Sequence, residues 1–194
     1  MPEGRYRVFA DIVHGTGFPE TGIGDITLPQ ILSGLPSGDD SLAPALSLAT
    51  GPQTDGAPLT MGARMFWLNA AGTLRVGEPL RLKFRVADSA GRPVADLEPY
   101  MGMAGHLVVV RVDWQVFAHL HPSGSPPMAA VELANGPATA HAGHVRDASV
   151  ATVLPSSEIT FPYGFPEAGH YRLFVQVKRA GRVETGVFDA QVEL

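Results

Sequence analysis

Alternating apolar and polar positions set the plan of the chain. Leu80, Leu82, Phe84 and Val86 interleave with Arg81, Lys83 and Arg85. That is the period of a strand with one face in a core and the other in water, and it predicts a strand over 78–87. Shorter runs rich in Val, Leu, Phe and Tyr predict further strands at 63–69, 94–97, 107–112, 115–121, 158–161, 171–178 and 183–192. Turn residues separate them, as in Ser89-Ala90-Gly91-Arg92-Pro93, where Gly reaches left-handed backbone and Pro presets φ.

This succession of short strands predicts an all-β fold, an Ig-like antiparallel β-sandwich over residues 63–194. Between the strands two stretches lose periodicity. Residues 30–62 read as a linker with a short helical turn at 42–48. Residues 122–155 read as a long solvated loop holding His141 and His144, whose part in any site is left open.

The two ends of the chain resemble each other. Gly4, Tyr6, Arg7, Phe9, Gly17, Glu20, Thr21, Gly22 and Asp25 recur as Gly169, Tyr171, Arg172, Phe174, Gly181, Glu184, Thr185, Gly186 and Asp189 once a single-residue gap is allowed. Average composition gives roughly one or two such identities. Residues 1–29 therefore read as an extra N-terminal hairpin of two strands, copied from a preceding repeat. An isolated hairpin is marginal in water and its edges invite pairing. The expectation is that it docks on the sheet of the complete domain, and that the chain descends from the tail of a longer tandem protein.

The chemistry concentrates between Met101 and His121. The runs 107–112 and 115–121 flank Asp113-Trp114, and a two-residue turn there sets Val112 opposite Gln115, Val110 opposite Phe117, Val108 opposite His119 and His106 opposite His121. Directly opposed Cβ atoms stand about 4.5–5.5 Å apart. Three imidazoles would then share one face at one end of the hairpin, with the Met101 and Met103 thioethers just upstream. Imidazole with thioether favours a soft ion, copper(I) above all, with zinc or copper(II) as the alternatives if only the histidines bind.

Each of these residues also has an ordinary reading. A strand histidine is usually half-buried and hydrogen-bonded, and methionines fill core gaps. Convergence argues for ligands, since three of the seven histidines and two of the six methionines fall in this one segment. The register decides the matter, because a shift of one residue would turn His106 to the opposite face.

Composition narrows the partners. A chain of 194 residues can bury a core without staples, and 22 Gly with 17 Pro suit a protein of many turns. Net charge is −5, so there is no electrostatic case for nucleic acid or an anionic membrane surface. No apolar run of about 18 residues predicts a membrane span. Cysteine is absent, which removes disulfides, thiolate ligands and thiol nucleophiles. The opening Met-Pro-Glu-Gly-Arg-Tyr-Arg has no apolar core of a signal peptide. Neither a phosphate-binding glycine loop followed by Lys nor a Gly-x-Ser-x-Gly elbow occurs, and the His-x-His pair lacks the Glu of a cupin motif. The expectation is a protein that is not an enzyme.

Phe165-Pro166-Glu167-Ala168-Gly169-His170-Tyr171-Arg172, running into a strand through Gln176, resembles the closing strands of small exported bacterial β-sandwich modules of the YtkA-like and CopC-like kind. Met101-Gly102-Met103-Ala104-Gly105-His106 with His119-Leu120-His121-Pro122 resembles their metal-facing segment. The resemblance covers about residues 63–194 and implies an extracytoplasmic or periplasmic, copper-handling module, often in tandem. The expected function is soft-metal binding through His106, His119 and His121, supported by Met101 and Met103. The alternative is a structural or adhesion-type Ig-like module that meets a protein partner, or a second copy, through an exposed sheet edge.

Overall fold

The computed structural model describes residues 3–14, 19–30, 41, 55–59, 62–124 and 156–194, and among them runs a succession of β-strands, β1 to β12. The helical turn expected at 42–48, and His141 and His144, lie outside the described residues.

The first two strands, β1 (Gly4–Val13) and β2 (Pro19–Leu28), form a two-stranded antiparallel sheet with Gly4 opposite Leu28 and Val13 opposite Pro19. They belong to a different compact unit from the other strands.

A four-stranded sheet has the order β10-β6-β4-β3. Its members are β3 (Ala57–Pro58), β4 (Arg64–Trp67), β6 (Leu80–Ala87) and β10 (Glu158–Tyr163). Strand β3 falls within the stretch read as linker. The alternation seen in the sequence governs β6, where Leu82, Phe84 and Val86 are buried while Arg81 and Lys83 are exposed. The strand begins two residues later than the pattern suggests. Gly77 has φ 73° and Pro79 has no N–H to give to a ladder.

The other sheet has the order β5-β12-β11-β8-β9, and β7 also pairs with β11. It comprises β5 (Leu74–Arg75), β7 (Leu97–Glu98), β8 (His106–Arg111), β9 (Phe117–Leu120), β11 (Gly169–Arg179) and β12 (Arg182–Glu193). Strand β5 runs parallel to β12 and every other pairing described is antiparallel, so the fold is all-β with a mixed sheet. A two-residue strand is too short to show a period, which is why β5 is invisible in the sequence. Ala180 (φ 46°) and Gly181 (φ 71°) turn β11 into β12. Left-handed backbone at both central positions matches the twist of the flanking strands.

The inward faces of these two sheets meet in one core. Met65, Leu82, Phe84 and Phe161 from the first pack with Leu107, Val109, Leu173 and Phe188 from the second. At Gly186 the sheets pack closely: a Cβ there would lie 2.8 Å from Met65 Sδ, so a larger residue would have to displace the Met65 side chain. At one side the layers are joined directly, the Ser123 amide donating to the Thr160 carbonyl at 2.8 Å.

The two hairpins at the chain ends share more than sequence. Arg7 lies opposite Asp25 and Arg172 opposite Asp189, and each arginine binds its aspartate through Nε and Nη2, at 3.0 and 3.3 Å in the first and 2.8 and 3.1 Å in the second. The matched residues hold matched places in the ladder.

Candidate metal centre

Strand β8 lies between β11 and β9, and the two neighbours place its histidine. On its core side Leu107 and Val109 are fully buried. By the strand period His106, Val108 and Val110 take the other face, and there Val108 stands opposite His119 and Val110 opposite Phe117. The ladder with β9 ends at Leu107 and Leu120, so His106 and His121 are the next positions beyond it, while His106 pairs with Gln176 of β11.

The connection itself is wider than the expected two-residue turn at Asp113-Trp114. The Arg111 amide donates to the Val116 carbonyl at 2.9 Å and the Trp114 amide to the Arg111 carbonyl at 2.8 Å, enclosing a four-residue loop, Val112 to Gln115. Two bonds, one long-range and one local, account for this. Val112 gives its N–H to the His170 carbonyl at 3.0 Å, and the Asp113 carboxylate accepts the Gln115 amide at 3.1 Å. Because one residue leaves the ladder on each side, the centre of the hairpin is unchanged and the pairing beyond it stays in register.

His106, His119 and His121 form a cluster that could hold a metal ion, with one ring nitrogen from each lying within 4.8 Å of the others. Ring centroids are 5.1 Å apart for His106 and His119, 5.4 Å for His106 and His121, and 5.1 Å for His119 and His121. Only 3% of His106 is exposed, whereas His119 and His121 are half-buried. The cluster thus has a fixed inner member and two outer ones that solvent can reach.

Burial, then the adjacent His119 and His121, hold the His106 imidazole down at about 4. The ring is therefore neutral at pH 7 and carries one proton. Its Nε2 lies 3.3 Å from the Tyr100 carbonyl oxygen, which can only accept. The proton belongs on Nε2, and the lone pair of Nδ1 points to His119 Nε2 at 3.0 Å. A ligating histidine typically donates its second ring N–H to a carbonyl in this way, fixing tautomer and orientation. Two nitrogens bound to one tetrahedral ion at about 2.0–2.1 Å stand roughly 3.3 Å apart. The His106–His119 separation is close to that already.

The carbonyl comes from a tight turn. The Tyr100 amide donates to the Met103 carbonyl at 2.8 Å and the Met103 amide to the Tyr100 carbonyl at 3.0 Å, with Met101 (φ 50°) and Gly102 (φ 79°) between them. Cross-strand partners share a face, so Met103 projects to the side of Tyr100, whose ring centroid is 4.9 Å from that of His106. Met103 is 7% exposed and Met101 is 63% exposed at the tip.

Sequence reasoning missed two supports of this arrangement. One is the Tyr100 carbonyl, which no side-chain pattern announces. The other is Gly105, where a Cβ would come within 2.5 Å of the Gln176 carbonyl. A glycine at the start of a strand is a signal of close backbone approach, and here it lets β8 enter beside β11 with His106 in place.

A family model described as a domain of unknown function (DUF8832) matches residues 61–193. The chain belongs to this family. The matched DUF8832 region contains the three histidines and both methionines of the segment. No curated protein matches the chain.

Proposed function

We propose that this protein binds a single soft metal ion, copper(I) in preference to zinc or copper(II), through His106, His119 and His121, with Met101 and Met103 as thioether ligands. The observation that carries the reading is the pairing of His106 Nδ1 and His119 Nε2 at 3.0 Å while His106 Nε2 is engaged by a carbonyl. The inner ligand is oriented before any ion arrives.

Copper(I) is favoured by the turn. A non-glycine residue in left-handed backbone costs about 1–2 kcal/mol, and Asn or Gly would sit at position 101 with less strain. A methionine in left-handed backbone with its side chain 63% exposed favours a role for the sulfur over one in packing. Thioether selects copper(I), and zinc would use the imidazoles alone.

The proposed setting is a non-enzymatic, extracytoplasmic metal-handling module of the YtkA-like or CopC-like kind. Its Ig-like character is supported by the Tyr171 hydroxyl, which donates to the Glu167 carbonyl at 2.8 Å. A tyrosine bonded back to the backbone just upstream of its strand is an Ig-type corner.

The test is anaerobic titration of the metal-free chain with copper(I) against a competing chelator, for the wild type and for His106→Ala with His121→Ala. One tight equivalent that the double variant loses is the expected result. Absence of binding tighter than the chelator refutes the proposal and leaves a structural module that meets its partner through the exposed edge of β9.

A further inference from the structure

The N-terminal hairpin presents to solvent the face that its C-terminal counterpart buries. By register Tyr6, Val8, Ala10 and Ile12 of β1 share one face with Gly22, Gly24 and Ile26 of β2. Val8 is 41%, Ile12 47% and Ile26 43% exposed. The corresponding Leu173 and Val177 are fully buried and Ala190 is 8% exposed. The opposite face of each hairpin carries the same bidentate arginine–aspartate pair, so the two faces have not been exchanged.

The glycines say what is missing. At Gly186 a Cβ would lie 2.8 Å from Met65 Sδ and 3.3 Å from Met65 Cβ, so a larger residue there displaces the Met65 side chain of the facing sheet. At the matching Gly22 an added Cβ would meet only ordinary contacts within its own hairpin, the Ala10 carbonyl oxygen at 3.7 Å and Ile12 Cδ1 at 3.9 Å. Glycine weakens a strand interior, and nothing within the hairpin asks for it. At Gly24, which replaces the buried Phe188, a Cβ would meet nothing within 4 Å among the described residues. In the complete module Phe188 fills that place, 5.2 Å from Phe84 and 6.2 Å from Trp67 between ring centroids. The ladders of the two hairpins also differ in the strands described beside them. Strand β11 is flanked by β8 as well as β12, whereas among the described residues β1 pairs with β2 alone.

We infer that β1–β2 is the closing hairpin of a second module of this family, and that its face bearing Val8, Ile12, Gly22, Gly24 and Ile26 is a docking surface for the remaining sheets of that module: a β8-like strand along β1 and an aliphatic facing sheet across the glycines. The facing sheet carries a Met65-like ridge over Gly22 and a larger side chain over Gly24, since the hairpin leaves that volume open. The occupant is a relative of this module rather than a second copy of this chain, whose β8 and facing sheet are already engaged by β11–β12.

The experiment extends the full chain. A second copy of residues 61–168 is joined directly ahead of Gly4, with Gly24→Phe in β2 to supply the side chain that Phe188 supplies in β12. Hydrogen exchange is then followed at the amides of β1–β2, whose sequence occurs once in the extended protein. The expected result is slowing by about 100-fold or more relative to the unextended chain carrying Gly24→Phe, as the amides of the hairpin join a larger cooperative unit. Adding Val8→Asp and Ile26→Asp to the extended chain should return β1–β2 to fast exchange while residues 169–193 remain protected. Two outcomes overturn the inference: β1–β2 amides that exchange equally fast with and without the extension, or a dimer of the unextended chain that Val8→Asp abolishes, which would make a second copy the occupant.

Discussion

His106 Nδ1 and His119 Nε2, from residues thirteen apart in sequence, face each other at 3.0 Å. Since His106 Nε2–H is committed to the Tyr100 carbonyl, the hydrogen between the two rings comes from His119 Nε2. Without an ion His119 is therefore the Nε2–H tautomer, and it must give up that hydrogen to ligate through the same atom. Nitrogen-15 NMR of the imidazoles should show His119 passing from Nε2–H to Nδ1–H as zinc is added, with His106 remaining Nε2–H throughout. A His106 resonance that changes tautomer instead would contradict the assignment of ligand atoms.

The same ring makes stability depend on pH. Burial and the neighbouring histidines hold His106 at about 4 against an ordinary 6.5. Between those values the unfolded chain takes up a proton that the folded chain refuses, so stability rises with pH across the window. The contribution is complete above the ordinary value and is lost as pH falls through it towards 4, on the order of 3 kcal/mol in all. Urea unfolding of the metal-free protein at a series of pH values should show this slope, and His106→Gln should flatten it. The folded chain's affinity for a metal should fall as pH drops through about 4, where His106 itself takes up a proton and the ion loses its lone pair.

Gly105 has no room for a side chain. With a Cβ 2.5 Å from the Gln176 carbonyl and 3.3 Å from Ile159 Cδ1, Gly105→Ala must push the start of β8 off β11 or displace Ile159. The expected cost is roughly 2 kcal/mol or more in stability. Metal affinity should fall by at least about tenfold, since small misplacements of a ligand shell are costly. Denaturant unfolding and a zinc titration on the same variant would check both effects, and an unchanged zinc affinity would show that the strand entry does not position His106.

The two methionines should separate the metals. Met101→Gly relieves left-handed backbone and removes an exposed thioether, so it should raise stability by about 1 kcal/mol while weakening copper(I) binding and leaving zinc binding unaltered. Met103→Leu keeps the apolar volume and tests the buried sulfur in the same way. Equal copper(I) affinity in both variants and the wild type would assign the site to the imidazoles alone.

Much of this arrangement is legible in the sequence because strand period and hairpin pairing are local. Alternation along 80–87 gives β6 and its buried face, and the two apolar runs around Asp113-Trp114 give the pairing of Val108 with His119. The width of the loop was not legible, since it depends on Val112 reaching the His170 carbonyl from a distant part of the chain. Nor was the parallel strand β5, whose two residues are placed by the end of β12. The tautomer of His106 required the backbone of Tyr100, and a backbone carbonyl leaves no mark in a side-chain pattern. The repeat at the chain ends, in contrast, is visible in both: identities in the sequence, and the same arginine–aspartate rung in the ladder.

The bond from the Ser123 amide to the Thr160 carbonyl, two residues beyond His121, gives the histidine cluster a mechanical setting. Its last member, His121, sits where the chain leaves β9 and is bonded to β10 of the other layer, so the two sheets are joined right beside the cluster. An ion held there by His121 would sit two residues from the bond that fastens one sheet to the other.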